Sequence, residues 1–148
     1  MIKQKLKSLF IIVCCASFLT SKAQNANAEK QVTLTVQTYF DGYKAGNPEI
    51  LKKVFHKNFH LSWSDPWRGN TFFQVDREGM FKFFNSNWSK LKISSKILET
   101  KVFNNSAYCL AKITLEGLVV WTDHINLLKL DDGKWWIVSK TSEGKIIK

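Results

Sequence analysis

Cysteine is scarce in this chain, and most of what little there is lies in the wrong place to matter. Of three cysteines among 148 residues, Cys14 and Cys15 sit in an apolar N-terminal run. Cys109 is then the single cysteine of residues 24–148, which excludes a disulfide framework there. Its neighbours Ala107, Leu110 and Ala111 suit a buried structural thiol better than a nucleophile. Internal repeats, low-complexity tracts and Pro/Gly-rich linkers are missing too, so nothing divides the sequence into two folded units. Clustered charge is equally absent. The formal net charge is +10, but the lysines are scattered rather than run together. Nucleic-acid binding would want a basic stripe with aromatics placed to stack bases, so a solvated, mildly basic surface is the reading adopted here.

What is present begins with an address. Lys3, Lys5 and Lys7 precede the apolar stretch 9–19, and Ser21-Lys22-Ala23 places small residues at the −3 and −1 positions of a cleavage site. This is the pattern of an export signal cut after Ala23, with a retained anchor as the alternative. The apolar core is about half of the roughly 20 residues that a membrane span needs. Cys14 follows Val13 and Cys15 follows Cys14, so the small residue that lipidation requires before its cysteine is lacking. The expectation is residues 1–23 as signal peptide, residues 24–148 as one domain, and a periplasmic or secreted product with no membrane attachment. Four of the 22 basic residues leave with the signal, and 18 against 12 acidic ones give the domain +6.

Hydrophobic residues make up 45% of the chain and aromatics 14%, enough for a sizeable core. Val32, Val36, Tyr39, Phe40 and Tyr43 recur at helical spacing, which predicts a helix from Glu29 to Ala45 stopped by Gly46. Asn47 caps a second, short helix that has Pro48 at its first position and runs to about Phe55. A short strand, Phe59 to Trp63, and a loop, Ser64 to Asn70, follow. Asp76 then caps a third helix from Arg77 to about Trp88, with Met80, Phe81, Phe83, Phe84 and Trp88 on its buried side. Four strands, near 94–103, 107–116, 118–130 and 134–142, are separated by turns at Asn104-Asn105, Glu116-Gly117 and Asp132-Gly133. Three helices before an antiparallel meander make an α+β fold, helices on one face of a curved sheet.

The words Tyr39-Phe40-Asp41-Gly42, Gly46-Asn47 with Leu51, Phe55-His56, the run from Trp121 to Lys129, and Gly133-Lys134-Trp135 with Ile137-Val138 occur in this order. So arranged, the chain resembles the nuclear transport factor 2-like superfamily, the cone fold shared with ketosteroid isomerase and scytalone dehydratase. More narrowly it is similar to the bacterial subgroup labelled putative lumazine-binding. The resemblance covers nearly all of residues 24–148. It implies a cone whose mouth opens between helices and sheet, often with dimerisation through the sheet, and it implies no particular reaction.

One acid stands inside the apolar strand Val119 to Leu130, namely Asp123, and burying an unpaired charge is costly. Hairpin parity decides its face. A three-residue turn, Asp131 to Gly133, pairs Lys129 with Trp135. Trp121, Asp123, Ile125, Leu127, Trp135, Ile137 and Ser139 then share one face, while His124, Asn126, Val138 and Lys140 share the other. A two-residue turn would slip the pairing and put Asp123 beside Lys140. The resemblance implies one residue fewer here in the subgroup, which favours the longer turn in this chain. Asp123 then points into the cone. There it is either an acid/base group with a raised pKa or a structural acid satisfied by Tyr39, Tyr43 or a backbone amide.

Tyr39 and Tyr43 lie one helical turn apart and offer hydroxyls toward the sheet. His56 and His60 are four apart, but a strand beginning at Phe59 spoils chelation, so no metal is expected. His60 remains a candidate base at the mouth. The loop Trp63 to Trp67 and the aromatic helix face (Phe81, Phe84, Trp88) read either as an apolar lid or, for the helix residues, as core packing, while Trp67 beside Arg68 suits a flat or anionic ligand. Trp136, Val138 and Leu128 on the opposite face read as a sheet–sheet dimer patch. No second interior acid accompanies Asp123, unlike the pocket of ketosteroid isomerase.

The leading expectation is therefore an exported homodimer that binds a small, partly apolar molecule without cofactor or metal. Its contacts are Tyr39, Tyr43, Trp63, Trp67, Trp121 and Asp123. The alternatives are a cofactor-free dehydratase, isomerase or cyclase with Asp123 or His60 as base, and a structural or protein-interaction module using the sheet face.

Overall fold

The computed structural model describes residues 25–84 and 88–147. The expected leader and its cleavage point at Ala23 lie outside the described residues. A helix, α1, occupies residues 25–45 and buries Val32, Val36, Tyr39 and Phe40, the apolar stripe legible in the sequence. The short α2, Pro48–Leu51, is capped by the Asn47 side chain, which accepts from the Glu49 amide. Six strands follow: β1 Phe55–Asp65, β2 Thr71–Asp76, β3 Ile93–Phe103, β4 Ser106–Leu115, β5 Val119–Lys129 and β6 Trp135–Ile146. Between β2 and β3 stands α3, Arg77–Phe81. The strands form one unclosed sheet in the order β2-β1-β6-β5-β4-β3. All neighbours are antiparallel except β1 and β6, which run parallel.

Three expected boundaries are corrected. The second helix stops at Leu51, and β1 starts at Phe55 rather than Phe59. Phe55 and Phe59 both enter the core and stack 4.1 Å apart, and the β1–β6 register shifts between Phe55 and His60. The stretch after the Pro66–Arg68 turn is a strand, β2, paired with β1 from Asp65↔Thr71 to His60↔Asp76. The third helix ends at Phe81, where Lys82, Phe83 and Phe84 continue in i→i+3 turns. Phe84 and Trp88 instead meet Tyr43 edge-on at 5.8 and 5.0 Å. Their spacing therefore reflects contacts to α1 rather than a continuing helix, and Phe83 is exposed.

The β5–β6 hairpin begins as parity requires. Lys129 pairs with Trp135, the Gly133 amide donates to Leu130 O at 2.9 Å, and Gly133 has φ 74°. That left-handed conformation suits glycine. Four residues further the ladder shifts. Leu127 pairs with Ile137 but Asn126 pairs with Ser139, so Val138 is an extra residue on β6, a β-bulge. Beyond it the inward set changes parity. Lys140 and Ser142, rather than Ser139, lie buried beside Asp123, which corrects the expectation that Lys140 faces away. Ser139 turns outward and accepts from the Asn126 side-chain amide at 3.1 Å.

Candidate functional site

The core side of the sheet carries a polar cluster within an apolar surround. Asp123 on β5 is fully buried and Lys140 on β6 is 5% exposed. Lys140 Nζ donates to Asp123 Oδ2 and to Tyr39 Oη, each at 2.8 Å. The Tyr39 hydroxyl donates to the same Asp123 oxygen at 2.9 Å, and Ser142 Oγ donates to Oδ1 at 2.6 Å. Three donors on one carboxylate satisfy a charge that would otherwise be untenable at this depth. Burial, reinforced by the negative charge of Asp123, pushes the Tyr39 phenol well above its ordinary pKa. Tyr39 is therefore a neutral relay, accepting from Lys140 while donating to Asp123. The ammonium also lies over the Tyr39 and Tyr43 rings, at 5.1 and 5.7 Å from their centroids, a favourable placement for a cation.

Above this cluster is a cavity of about 170 Å³. Its polar border is Asp123, Lys140, Ser142 and Tyr43. Leu61 and Trp63 of β1, Met80 of α3, Phe83, Ile113 of β4 and Trp121 of β5 form its apolar wall. Local sequence explains the placement. Phe59, Leu61 and Trp63 alternate inward along β1, and Asp76 caps α3 by accepting from the Gly79 amide at 2.7 Å, which aims Met80 at the core. Gly144 lies opposite Trp121 in the β5–β6 ladder. A Cβ there would come within 2.6 Å of the indole and 2.9 Å of Pro66, so the absent side chain makes room for the Trp121 ring.

Of the residues singled out from sequence, Tyr43, Trp63, Trp121 and Asp123 border the cavity, and Tyr39 lies beneath its polar floor. Trp67 is 55% exposed and meets Trp121 edge-on at 6.2 Å, outside the cavity wall. His60 is exposed. It alternates away from Leu61 and Trp63, which enter the pocket, so the site does not include it. Trp136 is half-buried, with its indole donating to Asp132 Oδ2 at 3.0 Å. Leu128, its cross-strand partner, is exposed. Cys109 is buried, and burial pushes its thiol up to about 11, in keeping with an inert structural role. Sequence reasoning placed Lys140 beside Asp123 only for a two-residue turn and otherwise on the outer face, and it did not single out Ser142. The available signal was the unmatched acid itself, which called for a cation within reach.

The model of the putative lumazine-binding family matches residues 27–142. A nuclear transport factor 2-like protein of unknown function from Methylobacillus flagellatus KT is 22% identical. The similarity covers 80% of this chain and 93% of that one with a TM-score of 0.70. One from Shewanella baltica OS155 is 18% identical over 81% and 95% of the two chains, at 0.69. A ketosteroid isomerase-like protein from Erwinia carotovora atroseptica SCRI1043 is 12% identical over 78% and 95%, at 0.59. At these identities the likeness concerns the fold. No curated protein matches the chain.

Proposed function

The chain belongs to the putative lumazine-binding family, within the nuclear transport factor 2-like superfamily, and from that premise we propose that it is an exported protein that binds a small, partly apolar molecule. The observation that carries this reading is the cavity whose apolar wall ends at the Asp123–Lys140–Ser142 cluster. A few polar groups converging at the end of an apolar cleft are the usual form of a small-molecule site. Tyr43, Trp63, Trp121 and Asp123, which border the cavity, are the proposed ligand contacts. Tyr39 supports them from below, and Trp67 contributes only through Trp121.

Binding is favoured over catalysis by the state of the carboxylate. A general base must reach a substrate proton, and Asp123 already accepts from Tyr39, Lys140 and Ser142. Native mass spectrometry on the purified protein tests the reading. A small co-purifying mass is expected, lost in a folded Leu61→Trp variant that fills the cavity. No bound mass, together with no thermal shift across a library of single-ring compounds, would sink the proposal. Export is supported by the N-terminal sequence pattern, and N-terminal sequencing of the native protein should begin at Gln24. Self-association through the outer sheet face is supported by exposed Leu128 beside Trp136. Sedimentation should then show a dimer that Leu128→Lys weakens, and a monomer at all concentrations would rule it out.

A further inference from the structure

We infer that the pocket selects a neutral carbonyl compound about one six-membered ring in size, its oxygen received by Lys140 and Tyr43. The inference rests on the small-molecule reading above and specifies its ligand class.

Size comes first. The cavity is about 170 Å³, and an apolar cavity near 150 Å³ admits benzene. One ring with a single polar substituent fits this space.

The polar inventory then decides chemistry. A lysine ammonium has three protons to donate, and Lys140 gives one to Asp123 and one to Tyr39. The third is unspent on a side chain that borders the cavity. The Tyr39 proton goes to Asp123, as does that of Ser142. The Tyr43 hydroxyl has no hydrogen-bond partner among the described residues, although the Tyr43 backbone carbonyl accepts from the Trp88 indole at 2.6 Å. Burial raises the Tyr43 pKa well above its ordinary value, so the phenol retains its proton. Two unspent donors at one end of an apolar cavity call for an acceptor.

Charge excludes the other acceptors. Lys140 and Asp123 form a pair at 2.8 Å, so the floor is close to neutral overall. An anionic ligand would surrender its hydration without a net opposite charge to replace it. A cation would face the ammonium. A neutral carbonyl loses little water, accepts twice, and places its carbons against Leu61, Met80, Ile113 and Trp121.

The test uses four probes of one shape: cyclohexanone, cyclohexane, cyclohexanecarboxylate and cyclohexylammonium. Binding is read from the indole N–H resonances of Trp63 and Trp121 during titration. Cyclohexanone should bind about tenfold more tightly than the carboxylate or the ammonium. Tyr43→Phe should weaken cyclohexanone about fivefold, the worth of one hydrogen bond, and leave cyclohexane unchanged. Lys140→Met should abolish the preference for the ketone. If that variant fails to fold, the Tyr43 result stands by itself. Equal binding of ketone and carboxylate, or a Tyr43→Phe variant that loses nothing, would overturn the inference while leaving the pocket intact. Silence from every probe, cyclohexane included, would remove both the inference and the binding function beneath it.

Discussion

Lys140 Nζ lies 2.8 Å from Asp123 Oδ2, although a regular ladder from the Lys129–Trp135 pair would set Thr141 opposite Asp123 and turn Lys140 to the outer face. One unpaired residue, Val138, reverses the parity of β6 and puts Ser142 opposite Asp123 instead. The ion pair and the bulge are thus a single device. Neither would be tolerable alone, because the bulge would bury a lone ammonium and a regular strand would leave a lone carboxylate.

Coupling across this pair is the first prediction. Lys140→Met leaves Asp123 buried without its counter-charge and should cost about 3–5 kcal/mol, whereas an isosteric apolar replacement of both partners is often close to neutral. Urea denaturation of Lys140→Met, Asp123→Leu and the double variant measures it. The double variant should recover most of the loss, and simple additivity would show that the two residues do not act as a unit.

Deleting Val138 should preserve the site. The pairs Leu127↔Ile137 and Asn126↔Ser139 flank it directly, so removal closes the ladder with Lys140 still inward. The expected variant folds and retains Lys140 resistant to amine acylation, as read by peptide mass mapping. Rapid modification of Lys140 would show that the bulge residue does more than count.

Gly144→Ala should damage the pocket more than its size suggests. The added methyl would meet the Trp121 ring at 2.6 Å and drive the indole toward the cavity. Overpacking of this kind costs about 1–3 kcal/mol. A shifted Trp121 emission spectrum with weaker ligand binding is expected, and an unchanged spectrum would refute the contact.

Alkaline pH should destabilise the fold in a defined order. Cys109 is raised from 9.0 to about 11 by burial, so the folded state holds a proton that the unfolded state has released. With more protons bound when folded, stability falls as pH rises from about 9 to 11. Tyr39 and Tyr43, also raised by burial, extend the fall above pH 10. Chemical denaturation at stepped pH should show the slope, and Cys109→Ala should flatten its lower part. In the native protein the thiol should react with disulfide reagents only as fast as the chain opens.

The fold was legible wherever one periodicity governed a segment. The stripe Val32, Val36, Tyr39, Phe40 identified α1, and Asp131-Asp132-Gly133 between apolar runs identified the last hairpin with its pairing. Asp123 was found because a carboxylate among Trp121, Ile125 and Leu127 breaks the pattern of its strand. Its partner was hidden, since alternation counted from a turn carries no information about a bulge four residues on. β2 was hidden for a different reason. Phe72 is exposed and Phe73 and Val75 are only partly covered, so this edge strand owes its form to pairing with β1 rather than to a buried face of its own. His60 stands exposed on the face opposite Phe59, Leu61 and Trp63, as its alternation along β1 requires, and does not border the cavity.

The position of β6 has a bearing on how the molecule assembles. It is the last strand in the chain, yet it lies between β1 and β5. The hairpin β1–β2 and the meander β3–β4–β5 are joined in the sheet only through it. A chain cut before Trp135 would hold two half-sheets with no shared edge, and α1 would have an interrupted surface to cover. Non-local pairing of this kind slows folding, because loop closure precedes the contacts that reward it. The β1–β6 pairing spans most of the domain and joins the two halves of the sheet. Asp123, Lys140 and Ser142 all stand on the β5–β6 hairpin, whereas Leu61 and Trp63 reach the cavity from β1, so the cavity has both its walls only once β1 has paired with β6.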